Sequence, residues 1–168
     1  MFRDIKTFFL ASFPTLTIIF FTFFNLFISN NFVDFGQLFI FQAIFFWLLY
    51  TPKLIPFYLI TLIAILQDII YLLPLGSSAL VFLFLIFIFE KINKLFLEPS
   101  FIELFISFTF LFIIGIFSYW SLGSIINLQL LPIQINIFYE VLINLFVFPI
   151  NFFILHFFFN KLNLNKIK

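Results

Sequence analysis

From Leu54 to Phe89 the chain carries a single charged residue, Asp68. Around it runs Tyr58-Leu-Ile-Thr-Leu-Ile-Ala-Ile-Leu-Gln-Asp68-Ile-Ile-Tyr-Leu-Leu, with no other charge. Such a stretch has no solvated face, so protein or lipid must enclose it. A carboxylate at the centre of a membrane helix costs roughly 2.5–3.5 kcal/mol on insertion scales. Asp68 therefore needs a partner, a shallow depth, or a role that offsets this cost.

The remaining sequence is built the same way. The chain has 168 residues, 65% hydrophobic and 9% charged, with mean hydropathy +1.29. A soluble domain carries about 25% charge. The composition predicts an all-α integral membrane protein, a single transmembrane domain over residues 1–168. A net charge of +1 excludes a nucleic-acid footprint. With no Cys there are no disulfides or thiolate metal sites. The 35 Phe are codon-cheap in an AT-rich genome. Phe and Leu insert about equally well, so the Phe count carries no functional meaning.

Polar and helix-breaking residues punctuate six apolar segments, about 8–29, 38–50, 54–73, 75–89, 101–122 and 137–159. The breaks fall at Asn30-Asn31 and Asp34-Phe-Gly-Gln, at Thr51-Pro52-Lys53, at Pro74-Leu-Gly-Ser-Ser78, at Glu90 to Ser100, and between Gly123 and Pro132. The second and fourth segments are short for full spans. Arg3 and Lys6 precede a first run without a small-residue cleavage site, so it reads as an uncleaved span.

The basic residues set an orientation. With six spans and a cytoplasmic N-terminus, Arg3, Lys6, Lys53, Lys91, Lys94, Lys161, Lys166 and Lys168 all fall on the inner side. Both termini are then cytoplasmic. Trp47, Tyr50 and Tyr58 would mark the inner interface, and Tyr71, Tyr119, Trp120 and Tyr139 the outer one.

Small and polar residues mark packed faces where lipid gives no hydrophobic drive. The stripes are Ser12, Thr15, Thr22, Asn25 and Ser29 in the first segment, and Thr61, Ala64, Asp68 and Tyr71 in the third. Ser107, Gly115 and Ser118 mark the fifth; Glu140, Asn144 and Asn151 mark the sixth. Asn144 and Asn151 need partners. Pro149 removes a donor inside the sixth and should kink it. Asp68 falls about five residues from the outer end, roughly 8 Å deep. A hydroxyl, an amide or water is its expected partner, because no basic residue lies on that side. Glu140 opens the sixth segment, where a helix dipole favours it. His156 stands alone, and neither a phosphate loop nor a nucleophile set is present. No metal, no cofactor and no enzymatic activity are expected.

The middle third has a more specific pattern. Trp47-Leu-Leu-Tyr50-Thr-Pro52 precedes a span carrying Asp68, and Leu73-Pro74-Leu75-Gly76 follows. This resembles the rod shape-determining MreD family over about residues 46–90. Members carry a Trp/Tyr-rich segment before a Pro, then a small-x-x-x-Asp pattern and a Pro-Leu-Gly turn. Here Ala64 stands where Gly is usual. Thr51 replaces the basic residue often found before the Pro, and Lys53 follows at once. The resemblance implies a non-enzymatic scaffold of peptidoglycan elongation in the bacterial inner membrane. Its implied partners are a bitopic MreC-like protein, RodA with a class B penicillin-binding protein, and indirectly MreB. It also implies a fold similar to the substrate-binding subunits of energy-coupling-factor transporters.

Asp68, Pro74, Gly76, Trp47, Tyr50, Pro52 and Asn144 are thus the candidate partner-binding or structural residues. In the scaffold reading, Asp68 and the turn Pro74–Ser78 form an outward polar notch that seats a partner. The alternative is a small-solute-binding subunit of a transporter, with Asp68, Gln67 and Asn144 lining its pocket.

Overall fold

The computed structural model describes residues 2–31, 37–94, 99–132 and 136–162, with the side chains of 2–11, 26, 28–31 and 136 outside the description. The side chains of Arg3, Lys6 and Ser29, and residues Asp34, Glu98, Lys166 and Lys168, thus lie outside the described residues.

Among the described residues the chain is all-helical, with six α-helices and no strand. They are α1 (Phe2–Asn31), α2 (Phe41–Tyr50), α3 (Phe57–Ile70), α4 (Ser77–Asn93), α5 (Phe101–Ile126) and α6 (Asn136–Lys161). Short 3-10 turns, Gln37–Ile40 and Pro52–Leu54, flank α2. At 1.5 Å per residue, α5 and α6 are each roughly 39 Å long and α3 roughly 21 Å, against a hydrocarbon core of about 30 Å. Both α5 and α6 are long and apolar enough to cross a membrane.

The short helices are the second and third, not the second and fourth. Pro56 has extended backbone and delays the start of α3. A turn after Ile70 ends it early. The Glu90-Lys91-Ile-Asn run, read as a break, instead continues α4. Ser100 and Glu103 form a reciprocal capping box that starts α5.

Successive helices run antiparallel. Phe13 of α1 packs on Trp47 of α2 and Phe158 of α6, and Phe45 of α2 on Phe89 of α4. Phe101 of α5 packs on Phe152 and Phe153 of α6 at the same end. At the other end Asn25 of α1 meets Tyr71 after α3, and Tyr119 of α5 meets Ser78 of α4.

The core is centred on α2. Every residue from Phe41 to Leu48 is buried. Phe41 stacks on Phe82 and Phe108, and Phe46 meets Phe152 edge-on. Phe108 and Phe148 stack face to face beside it, with centroids 3.9 Å apart. The aromatic residues therefore fill the interior, a structural role that the Phe count alone did not suggest. Large apolar side chains also cover the outside, including Phe20, Phe27, Leu62, Phe84, Phe110 and Phe146.

Trp47 is fully buried, and its indole N–H donates to Thr17 Oγ1 at 2.6 Å. It is a core residue, which corrects its assignment to an interfacial belt. Tyr58 and Tyr139 are exposed, as a belt requires.

Candidate functional site

Asp68 sits two residues before the end of α3, closer to the helix end than the apolar pattern suggests. The Leu73 N–H bonds back to the Asp68 carbonyl at 2.9 Å, and the Tyr71 N–H to that of Gln67. Leu72 takes a left-handed conformation, φ 54°. This is the Schellman stop, with Leu where Gly is preferred. The chain then folds back over the Asp68 side chain.

The carboxylate is fully enclosed and holds the start of α4. The Gly76 N–H donates to Oδ2 at 2.7 Å. The Ser78 N–H and the Ser77 hydroxyl donate to Oδ1 at 3.0 and 3.1 Å. The first N–H groups of a helix lack intrahelical partners and carry the positive end of its dipole. A carboxylate satisfies both needs at once. Gly76 makes the geometry accessible because φ is +92°, a left-handed value that costs Gly little. Tyr119 extends the network by donating to Ser78 Oγ at 2.8 Å.

The expected open notch is therefore corrected. Asp68 has no exposed surface for a partner to touch. Its partners are a hydroxyl and two backbone N–H groups, supplied by its own chain.

Pro74 and Gly76 belong to this cluster. The Pro74 carbonyl accepts from the Ser77 N–H at 3.0 Å, and the Pro74 ring is exposed. Trp47, Tyr50 and Pro52 lie at the opposite end. Tyr50 packs on Phe46, Phe159 and His156. Pro52 is exposed at the first position of its 3-10 turn.

Asn144 belongs to a third cluster, in the bundle core. Gln42 of α2 donates to Asn144 Oδ1 at 2.9 Å and accepts from Asn151 Nδ2 at 2.7 Å. Asn144 in turn donates to the Glu140 carbonyl at 2.8 Å. These amides tie α2 to α6. Gln67 is elsewhere and donates to the Gln37 carbonyl at 2.5 Å. Asp68, Gln67 and Asn144 thus make separate sets of hydrogen bonds, and none of the three lines the cavity next to the Asp68 cluster.

A cavity of about 310 Å³ lies next to the Asp68 cluster. Its walls come from the Gln37 turn, the α3–α4 turn, the ends of α5 and α6, and Leu131-Pro132. Ser77 is shared by both sites, since it lines the cavity and donates to Asp68. Glu140 lines it too. Because α6 starts at Asn136, Glu140 lies past the first turn, where the dipole contribution has faded. That corrects the dipole explanation for a Glu here.

Gln42 was missed in the sequence, Tyr119 was read only as an interfacial residue, and Ser77 and Ser78 only as part of the turn that forms a notch with Asp68. Gln42 was legible in principle as the one amide in the second apolar segment. Ser77-Ser78 directly after a turn Gly signalled a helix start awaiting an acceptor. Among the described residues no group of His or acidic side chains could hold a metal.

No protein-family model, curated protein or solved structure matches the chain.

Proposed function

We propose that this chain is a six-span inner-membrane scaffold of the peptidoglycan elongation complex, similar to the MreD family, with both termini cytoplasmic. Three features support a membrane location. Large apolar side chains are exposed along α1, α3, α4, α5 and α6, as a lipid-facing surface requires. Two long apolar helices, α5 and α6, exceed the hydrocarbon thickness. Lys53, Lys91, Lys94 and Lys161 are all exposed at one end of the bundle, the distribution expected of a cytoplasmic face.

The observation that carries the scaffold reading is the clamped turn. Asp68, Gly76, Ser77 and Ser78 fix the α3–α4 connection in one shape. That shape holds Leu72 and Leu75 out at 92% and 73% exposure. Leu128 and Leu130, after α5, are 93% and 83% exposed. A rigid turn tipped with apolar residues suits a partner's membrane helix or juxtamembrane segment, with MreC-like, RodA and class B penicillin-binding proteins as the expected partners and MreB an indirect one.

The test separates clamp from contact. Leu75→Asp leaves every clamp bond in place. It should abolish co-purification with the MreC-like partner and widen cells, at unchanged thermal stability. Normal binding and normal rods in that variant would sink the proposal. The cavity is the one observation favouring the alternative, a small-solute-binding transporter subunit, which requires solute uptake coupled to an ATPase module.

A further inference from the structure

We propose that the α3–α4 turn lies inside the hydrocarbon of the outer leaflet, with lipid acyl chains covering it. This depth goes beyond the membrane reading above, on which it rests. Helix lengths set it. With Lys53 exposed at the inner end, α3 rises only roughly 21 Å to Ile70. On the way down, α4 meets its first charged residue at Glu90, roughly 20 Å from Ser77. The hydrocarbon core is about 30 Å thick, so roughly 10 Å of it remains above the turn.

Two cross-links give the same figure from neighbouring helices. Tyr119 of α5 bonds Ser78 at the start of α4. From Tyr119, α5 runs on to Ile126, roughly 10 Å farther. Asn25 of α1 bonds Tyr71. From Asn25, α1 runs on to Asn31, roughly 9 Å farther. The turn is therefore recessed below both helix ends.

Its chemistry suits a place without water. Between Tyr71 and Gly76 the only polar side chain is that of Tyr71, and it accepts from Asn25. Leu72 and Leu75 are exposed, and they prolong the exposed apolar strips formed by Leu66 and Ile69 on α3 and by Leu80 and Phe84 on α4. In hydrocarbon, every backbone N–H needs an acceptor from the protein. The N–H groups of Tyr71, Leu73, Gly76, Ser77 and Ser78 all have one. For Gly76 and Ser78 that acceptor is the Asp68 carboxylate, which takes the place water has at a surface turn.

Single cysteines in the full chain, which has none of its own, carry nitroxide labels in lipid vesicles. Oxygen concentrates in hydrocarbon and a nickel chelate stays in water, so collisions with each read the depth of the label. In dioleoyl phosphatidylcholine, labels at Leu72→Cys and Leu75→Cys should lose nickel collisions and keep oxygen collisions. They should match a label at Phe110→Cys, an exposed position within α5. A label at Gln129→Cys, beyond α5, should keep its nickel collisions. In thinner dilauroyl vesicles the labels at Leu72 and Leu75 should gain nickel collisions, while that at Phe110 should not. Two positions in the turn keep the outcome independent of one variant. Nickel contact at Leu72 and Leu75 in dioleoyl vesicles with Phe110 protected, or protection that persists in dilauroyl vesicles, would overturn the depth and leave the membrane reading intact. Nickel contact at Phe110 itself would overturn both.

Discussion

The side chain of Asp68 holds the backbone N–H of Gly76 at 2.7 Å, and in doing so joins the end of one helix to the start of the next. A buried carboxylate that accepts hydrogen bonds from three donors is a stabilising device as long as all four groups are present. Removing the acceptor leaves the donors buried and unsatisfied. Asp68→Ala should therefore cost about 2–4 kcal/mol, and Asp68→Asn, which keeps one acceptor oxygen, about half of that. Unfolding in mixed micelles measures both. Equal stability of Asp68→Ala and wild type would rule out the clamp.

Gly76 isolates the backbone part of the same device. A Cβ built there meets nothing within 4 Å, so sterics with neighbours do not contribute. The cost of Gly76→Ala is then that of the left-handed conformation alone, about 1–2 kcal/mol. Gly76→Asn should lose less, because Asn tolerates that region. Melting temperatures of the three proteins give the order Gly, Asn, Ala. A different order removes the conformational argument.

Leu72 and Leu128 invert that logic. Both have positive φ, 54° and 53°, and both are almost wholly exposed. Each ends a helix at a position where Gly is preferred. Leu72→Gly and Leu128→Gly should each change stability by about +0.5 to +1 kcal/mol, with relief of strain exceeding the added freedom of the unfolded chain. If the leucines serve a contact, partner binding falls in the same variants. A gain in stability with full partner binding would leave both leucines without a role.

The amide cluster makes a coupling prediction. Gln42→Leu removes the acceptor of Asn151 Nδ2 and one donor to Asn144 Oδ1 and should cost about 1–3 kcal/mol. Gln42→Leu combined with Asn151→Leu should cost clearly less than the sum of the single changes, since neighbours in one network are not additive. Additive losses in this cycle contradict the network.

Native cysteine is absent, so single introduced cysteines report orientation cleanly. Lys53→Cys and Lys94→Cys should react with an impermeant maleimide only after cells are opened. Gln129→Cys should react in intact cells. Labelling of all three in intact cells refutes the proposed topology.

The sequence and the structure agree where periodicity or charge leaves one solution. Six helical segments were legible because Pro and polar breaks separate them. The need of Asp68 for a neutral donor was legible because no cation lies nearby. Boundaries were harder to read. The Glu90-Lys91 pair looks like a break, yet charged residues lengthen a helix beyond an apolar run without interrupting it. The burial of Trp47 was hidden because a ring with a polar tip suits either an interface or a core that offers Thr17 as acceptor. The Gln42 cluster was hidden because its members lie 102 and 109 residues apart, and a single sequence does not pair distant amides.

That separation also sets an order of assembly. The central helix α2 is made well before one of its hydrogen-bond partners, Asn151, which follows Gln42 by 109 residues. At ten residues, α2 is too short to be stable by itself. Its polar group must wait, shielded by α1 or by the insertion machinery, until α6 emerges. Truncation before α6 should therefore yield a product that quality-control proteases clear, whatever the preceding five helices could form alone.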